Sequence, residues 1–207
     1  MTRSLKVYLI TDRHQTRGRS LTETVEQAMQ GGVRAAQLRE RDLDTRSLFA
    51  LACELREVTR RHAALLLIND RIDVALACGA DGVHLPAESF SVADARSLLG
   101  TNRLIGISTH RPEEVAAAAR AGADFAVFGP VFDTPSKRAY GPALGPDALA
   151  MAVGASTIPV LAIGGVTAER VPTVLARGAS GVAVIRAILE VEDPCQAAHS
   201  LVAAVSR

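Results

Sequence analysis

Apolar positions in this chain fall into eight short runs, separated by stretches in which they recur at helical spacing. Four of the runs begin the same way, with a glycine leading into a strand-like segment. They are Gly32-Val33-Arg34-Ala35-Ala36-Gln37-Leu38, Gly79-Ala80-Asp81-Gly82-Val83-His84-Leu85, Gly122-Ala123-Asp124-Phe125-Ala126-Val127-Phe128 and Gly178-Ala179-Ser180-Gly181-Val182-Ala183-Val184. An alanine-rich, helically periodic stretch precedes each, so each glycine reads as the left-handed residue just past a helix end. Val7–Thr11, Leu65–Ile68, Leu104–Ile107 and Val160–Ile163 supply four further strands between them. Helices are predicted over Leu21–Gly31, Thr45–His62, Val74–Ala77, Val92–Leu99, Pro112–Ala121, Pro146–Ala152, Ala168–Ala176 and Pro194–Val205. Start signals stand at Thr22-Glu23, Asp44-Thr45, Ser91 and Thr109. A β–α unit repeating through the chain predicts the α/β class and a (β/α)8 TIM barrel, whose chemistry gathers at the C-terminal ends of its strands.

Composition narrows the reading without changing it. The 207 residues are close to the lower limit of about 200 for such a barrel, so residues 1–207 are expected to form one domain. Twenty-three Lys and Arg against 22 Asp and Glu leave a net charge of +1, which gives no reason to expect nucleic acid or an anionic membrane as partner. The apolar runs are strand-length and interrupted by charges, so no membrane span is expected, and a strand by Val7 leaves no space for a signal peptide. Cys53, Cys78 and Cys195 are odd in number and widely spaced in apolar helical contexts. They read as reduced thiols of a cytoplasmic protein. Small barrels often associate, so a homo-oligomer stays open.

Polar residues cluster where the strands end. After strand two come Gln37, Arg39 and Arg41, which strand alternation would place on one side, as an anion site or a solvated rim. After strand three, Asn69 and Asp70 suit a hard divalent cation or the N-cap of the next helix. His84 reads as a hydrogen-bonded interior histidine, while Ser108-Thr109-His110 after strand five reads as a cap or a phosphate contact. Gly129–Gly145 is the one long connection, with prolines and glycines at its ends and Lys137-Arg138 in the middle; it reads as a lid after strand six. Gly164-Gly165 after strand seven and Ile185-Arg186 after strand eight match the phosphate pocket of many barrels.

Taken in series, these motifs resemble the thiamine phosphate synthase/thiazole tautomerase family over essentially the whole chain. The matching segments are Tyr8-Leu9-Ile10-Thr11-Asp12, Gln37-Leu38-Arg39-Glu40, Ile68-Asn69-Asp70-Arg71, Gly82-Val83-His84-Leu85, Ser108-Thr109-His110, Gly129-Pro130-Val131-Phe132, Thr134-Pro135-Ser136-Lys137 and Ala162-Ile163-Gly164-Gly165. The resemblance implies coupling of 4-amino-2-methyl-5-hydroxymethylpyrimidine diphosphate to a thiazole phosphate, with loss of pyrophosphate and help from Mg²⁺. It implies that Gln37, Arg39, Arg41 and Asn69 bind the pyrimidine diphosphate, that Ser108 and Lys137 reach its pyrophosphate, and that Asp70 holds Mg²⁺. Lys137, Ser108 and Arg39 would then be the catalytic set. Thr134, Ser136, Gly165, Ile185 and Arg186 would line the thiazole-phosphate site, the last three through backbone amides.

The chain makes three departures from the synthase pattern. Arg41 stands where it has lysine, Arg186 where it has serine, and Pro86-Ala87-Glu88-Ser89 where it has Gly-Gln-x-Asp. The last puts Ser89 in place of a second metal carboxylate and leaves Glu88 as the substitute metal ligand. The Leu85-Pro86 to Ser91 stretch is closer to the tautomerase branch, yet Pro130 stands where that branch has a histidine. A synthase is the first expectation. A tautomerase-like isomerase and a non-catalytic thiamine-phosphate-binding regulator are the alternatives.

Overall fold

The computed structural model describes residues 5–134 and 142–206. Eight parallel strands close into a ring in sequence order: β1 (Val7–Ile10), β2 (Ala35–Leu38), β3 (Leu65–Asn69), β4 (Gly82–Leu85), β5 (Leu104–Thr109), β6 (Phe125–Phe128), β7 (Val160–Ile163) and β8 (Gly181–Val184). β8 pairs with β1 through Val7–Val182 and Leu9–Val184, which completes the predicted barrel. Around it lie α1 (Leu21–Gln30), α2 (Thr45–Arg61), α3 (Ile72–Ala77), α4 (Val92–Leu99), α5 (Pro112–Arg120), α6 (Gly145–Gly154), α7 (Val171–Ala176), α8 (Arg186–Leu189) and α9 (Pro194–Val205).

Strand alternation feeds two cores. Tyr8, Ile10, Ala35, Leu67, Phe125, Val127, Leu161 and Ala183 fill the barrel interior. Val7, Leu9, Ala36, Leu38, Leu66 and Ile68 face the helices and join the larger outer core. Both faces of most strands are therefore apolar, which is why they read as continuous hydrophobic runs, whereas β4 turns His84 inward.

The four-fold glycine pattern has a structural basis. Gly32, Gly79, Gly122 and Gly178 all have positive φ, between 64° and 100°, where a side chain would be strained. In two of the copies the following aspartate ties the bottom of the barrel together. Asp81 accepts the backbone N–H of Leu66 at 2.8 Å and Asp124 that of Ile105 at 2.7 Å. Each carboxylate also accepts from an arginine of a surrounding helix, Arg56 on α2 and Arg96 on α4.

The differences from expectation are local. Thr109 does not start a helix: it is the last residue of β5, and its hydroxyl donates to Val127 O at 3.2 Å. α5 is capped instead by Glu114, whose carboxylate accepts from the N–H groups of His110 and Arg111. Ser20 rather than Thr22 caps α1, whereas Asp44 and Ser91 cap α2 and α4 as their positions suggest. The stretch predicted as a helix over Ala168–Ala176 splits into a 3-10 turn (Ala168–Arg170) followed by α7. The 3-10 turn Arg13–Gln15 and the four-residue α8 were too short to leave a periodic signal.

Candidate functional site

The polar strand ends all fall at one mouth of the ring, because every strand is parallel. The floor of that mouth is aromatic. Tyr8, His84 and Phe125 are fully or almost fully buried, with ring centroids 5.5–5.9 Å apart. Gln37 donates from Nε2 to Tyr8 Oη at 3.1 Å, and His84 Nε2 lies 2.9 Å from Ser108 Oγ. His84 is thus the interior histidine that the sequence suggests, and Ser108 is a strand residue rather than a helix cap. Burial, aided by the charge of Arg39, pushes the His84 pKa down to about 3, so the ring is neutral at ordinary pH. Burial drives the Tyr8 phenol far up.

Above the floor stands the β2 arm. The strand stops at Leu38, so alternation does not carry through to Arg41 as expected from sequence. Gln37 is buried, Arg39 half-buried and Arg41 exposed. Desolvation first and the neighbouring Arg41 second lower the Arg39 pKa. Two cations close enough to repel each other favour an anion between them.

Glu40 is the residue that sequence reasoning missed. Its carboxylate is 2% exposed. It accepts from Thr11 Oγ1 at 2.7 Å, from the Arg13 N–H at 3.1 Å and from the Arg13 guanidinium at 3.2 Å. Thr11 Oγ1 in turn accepts the backbone N–H of Arg39 at 2.9 Å. The β1 and β2 ends are thereby locked together, with the Arg39 backbone held in the lock. Its only sequence signal was an acid directly after a strand end and between two arginines.

On the β3 and β4 side, Arg41, Asn69, Asp70 and Glu88 line a cleft of about 400 Å³ together with Glu40, and Leu43 and Leu48 give it an apolar wall. Asp70 does not act as the N-cap that a plain reading allows: Arg71 occupies that position of α3, which has no side-chain cap. Asp70 has φ +66°, an uncommon conformation for a non-glycine residue. Its backbone N–H donates to His84 O at 2.9 Å, and its Oδ1 accepts from Ser89 Oγ. The donor set of Asn69, Asp70, Glu88 and Ser89 is all oxygen, as a hard cation such as Mg²⁺ requires. Among the described residues no cluster of three or more His, Cys, Asp or Glu side chains is assembled to hold a metal alone. Mg²⁺ is ordinarily held by one or two carboxylates plus substrate phosphates, and Asp70 and Glu88 are two carboxylates of that kind.

The far side of the mouth is built from backbone. Val131 N–H donates to Ile163 O and Phe132 N–H to Gly164 O, extending the β6–β7 pairing beyond the strands. Leu144 N–H donates to Pro130 O and Gly145 N–H to Val131 O, so the two ends of the long connection meet. Gly165 has φ +62°, and a Cβ there would lie 2.6 Å from Asp133 O. Arg170 donates to Gly165 O at 2.7 Å and stacks over Phe132 at 4.8 Å, fixing that turn. Ile185 leads directly into α8, and the Arg186 guanidinium folds back onto Glu190. That pairing engages the Arg186 side chain with its own helix. Thr134 is at the described edge of the connection, whereas Ser136 and Lys137 lie outside the described residues.

Known proteins resemble this chain over most of its length. The family model described as thiamine monophosphate synthase matches residues 7–188. A Geobacter sulfurreducens relative is 54% identical over 197 residues, covering 95% of this chain and 92% of its own. The thiamine-phosphate synthase of Clostridium novyi is 45% identical over 188 residues, covering 91% and 92%. Among solved structures, the thiamine phosphate pyrophosphorylase from Pyrococcus furiosus superposes with a TM-score of 0.91 at 36% identity, covering 99% of this chain and 97% of that one.

Proposed function

The chain belongs to the thiamine monophosphate synthase family, and from that premise we propose that it joins 4-amino-2-methyl-5-hydroxymethylpyrimidine diphosphate to a thiazole phosphate, releasing pyrophosphate and forming thiamine phosphate. The observation that carries the reading is the pairing of two unlike anion sites on one mouth. One is side-chain and cationic, around Arg39 and Arg41; the other is backbone, around Gly165 and Ile185.

The chemistry matches those two sites. The bond between the pyrimidine methylene carbon and the diphosphate oxygen breaks, and its electron pair leaves with pyrophosphate. The thiazole nitrogen then supplies the pair for the new C–N bond. No proton has to be removed, so the reaction needs charge stabilisation on the leaving group more than it needs a base. Arg39 and Arg41 meet the negative charge that develops, and the half-burial of Arg39 weakens solvent screening there. Ser108 adds a hydroxyl from the floor, and Asn69 orients the substrate at the cleft. Asp70 and Glu88 would hold Mg²⁺ beside the diphosphate, where the ion neutralises charge on the leaving oxygens. The backbone turn at Gly165 and the amides of Ile185 and Arg186 hold the second substrate's phosphate, so the two reactants meet over the Tyr8–His84–Phe125 floor. Thr134, Ser136 and Lys137 belong to the same reading, as ligands brought by the long connection. Among the described residues no helix is long and apolar enough to cross a membrane, and all three cysteines are free thiols. The thiols support a reducing cytoplasmic setting.

A tautomerase reading has no support at Pro130, which offers no titratable proton. Asp70→Asn tests the metal assignment. It keeps the Ser89 hydrogen bond but loses the charge, and it should lower thiamine phosphate formation about 100-fold while raising the Mg²⁺ concentration for half-maximal rate. Wild-type Mg²⁺ dependence in this variant would remove Asp70 from the metal site.

A further inference from the structure

One atom in the floor of the mouth is unaccounted for. Among the described residues His84 Nδ1 is buried with no hydrogen-bond partner, although Nε2 is within reach of Ser108 Oγ. The surroundings of Nδ1 explain why no partner reaches it. A Cβ on Gly106 would lie 2.8 Å from Nδ1 and 2.3 Å from Phe125 Cζ. The imidazole therefore sits over bare backbone, packed with the rings of Tyr8 and Phe125.

A neutral imidazole carries one N–H and one lone pair, and the two possible tautomers give Ser108 opposite roles. With the proton on Nδ1, a donor is buried without an acceptor. Ser108 must then spend its O–H on Nε2 and shows only lone pairs to the mouth. With the proton on Nε2, the buried orphan is a lone pair. Ser108 accepts from the ring and keeps its own hydrogen. Among backbone groups an orphaned buried N–H is rarer than an under-satisfied acceptor, and the ring follows the same preference. A hydroxyl facing an anion is useful only as a donor.

We propose that His84 is a positioning residue: Nε2–H donates to Ser108 Oγ and so turns the Ser108 hydroxyl hydrogen outward, to donate to the leaving diphosphate. The proposal rests on the reading of the site as a diphosphate site. No proton is transferred; the histidine sets the direction of a hydrogen bond that strengthens as negative charge develops on the leaving oxygen. Gly106 is part of the device, because any side chain there would displace the ring.

Nitrogen-15 NMR of the ligand-free wild-type protein at neutral pH reads the tautomer directly. A pyrrole-type signal at Nε2 and a pyridine-type signal at Nδ1 of His84 support the proposal, and the reverse pattern overturns it. Kinetics supply the second arm. His84→Gln retains an N–H donor and should stay close to wild type, while His84→Phe should lower kcat about tenfold with a smaller change in KM. In a Ser108→Ala background His84→Phe should add nothing; an independent, multiplicative loss would mean that His84 does not act through Ser108. If His84→Phe does not fold, the NMR result decides alone. Wild-type thiamine phosphate formation with the wrong tautomer removes only the positioning role, whereas no product from wild type removes the functional reading as well.

Discussion

His84 also gives the molecule a distinctive acid response. An unfolded histidine titrates near pH 6.5, but in the fold burial holds this one at about 3. Between those values the unfolded chain binds a proton that the folded chain refuses, so stability present above pH 6.5 is lost as pH falls toward 3. The carboxylates held low by hydrogen bonds, such as Asp42 and Asp44, start from ordinary values near 4, so the stability they contribute is lost only below that. Urea denaturation should therefore show stability falling already between pH 6.5 and 4.5, and His84→Gln should flatten that segment. A wild-type curve that is level there would mean that the ring is protonated in the fold.

At the level of elements, the sequence carried most of the architecture and less of the site. Strand and helix order was legible because both strand faces are apolar and the four helix-ending glycines recur with positive φ. What stayed hidden was long-range. Nothing in the order of residues shows that Asp81 and Asp124 brace the N–H groups of neighbouring strands, or that Glu40 bonds to Thr11 and Arg13 across 27–29 positions. The same limit applies to Arg41: alternation predicts its side only while the strand lasts, and β2 ends three residues earlier. Asp81→Ala tests the bracing. Losing the hydrogen bonds to Leu66 and Arg56 should cost about 2 kcal/mol in chemical denaturation without changing substrate KM. A destabilisation below a few tenths would show the bracing to be passive.

For the molecule as a whole, closure of the ring brings strand ends from both halves of the chain to one mouth. Arg39 and Asn69 come from the first three strands, while Gly165 and Ile185 come from the last two. All of them follow strands of one parallel ring, which β8 closes by pairing with β1. Two of the departures from the family pattern have local partners: Arg186 pairs with Glu190, and Ser89 bonds to Asp70. Phosphorus NMR of the wild-type protein with both substrates and Mg²⁺ tests the account most directly. The pyrimidine diphosphate signals should be replaced by inorganic pyrophosphate and thiamine phosphate in equal amounts. Unchanged diphosphate signals with well-folded protein, or pyrophosphate released without thiamine phosphate, would contradict it.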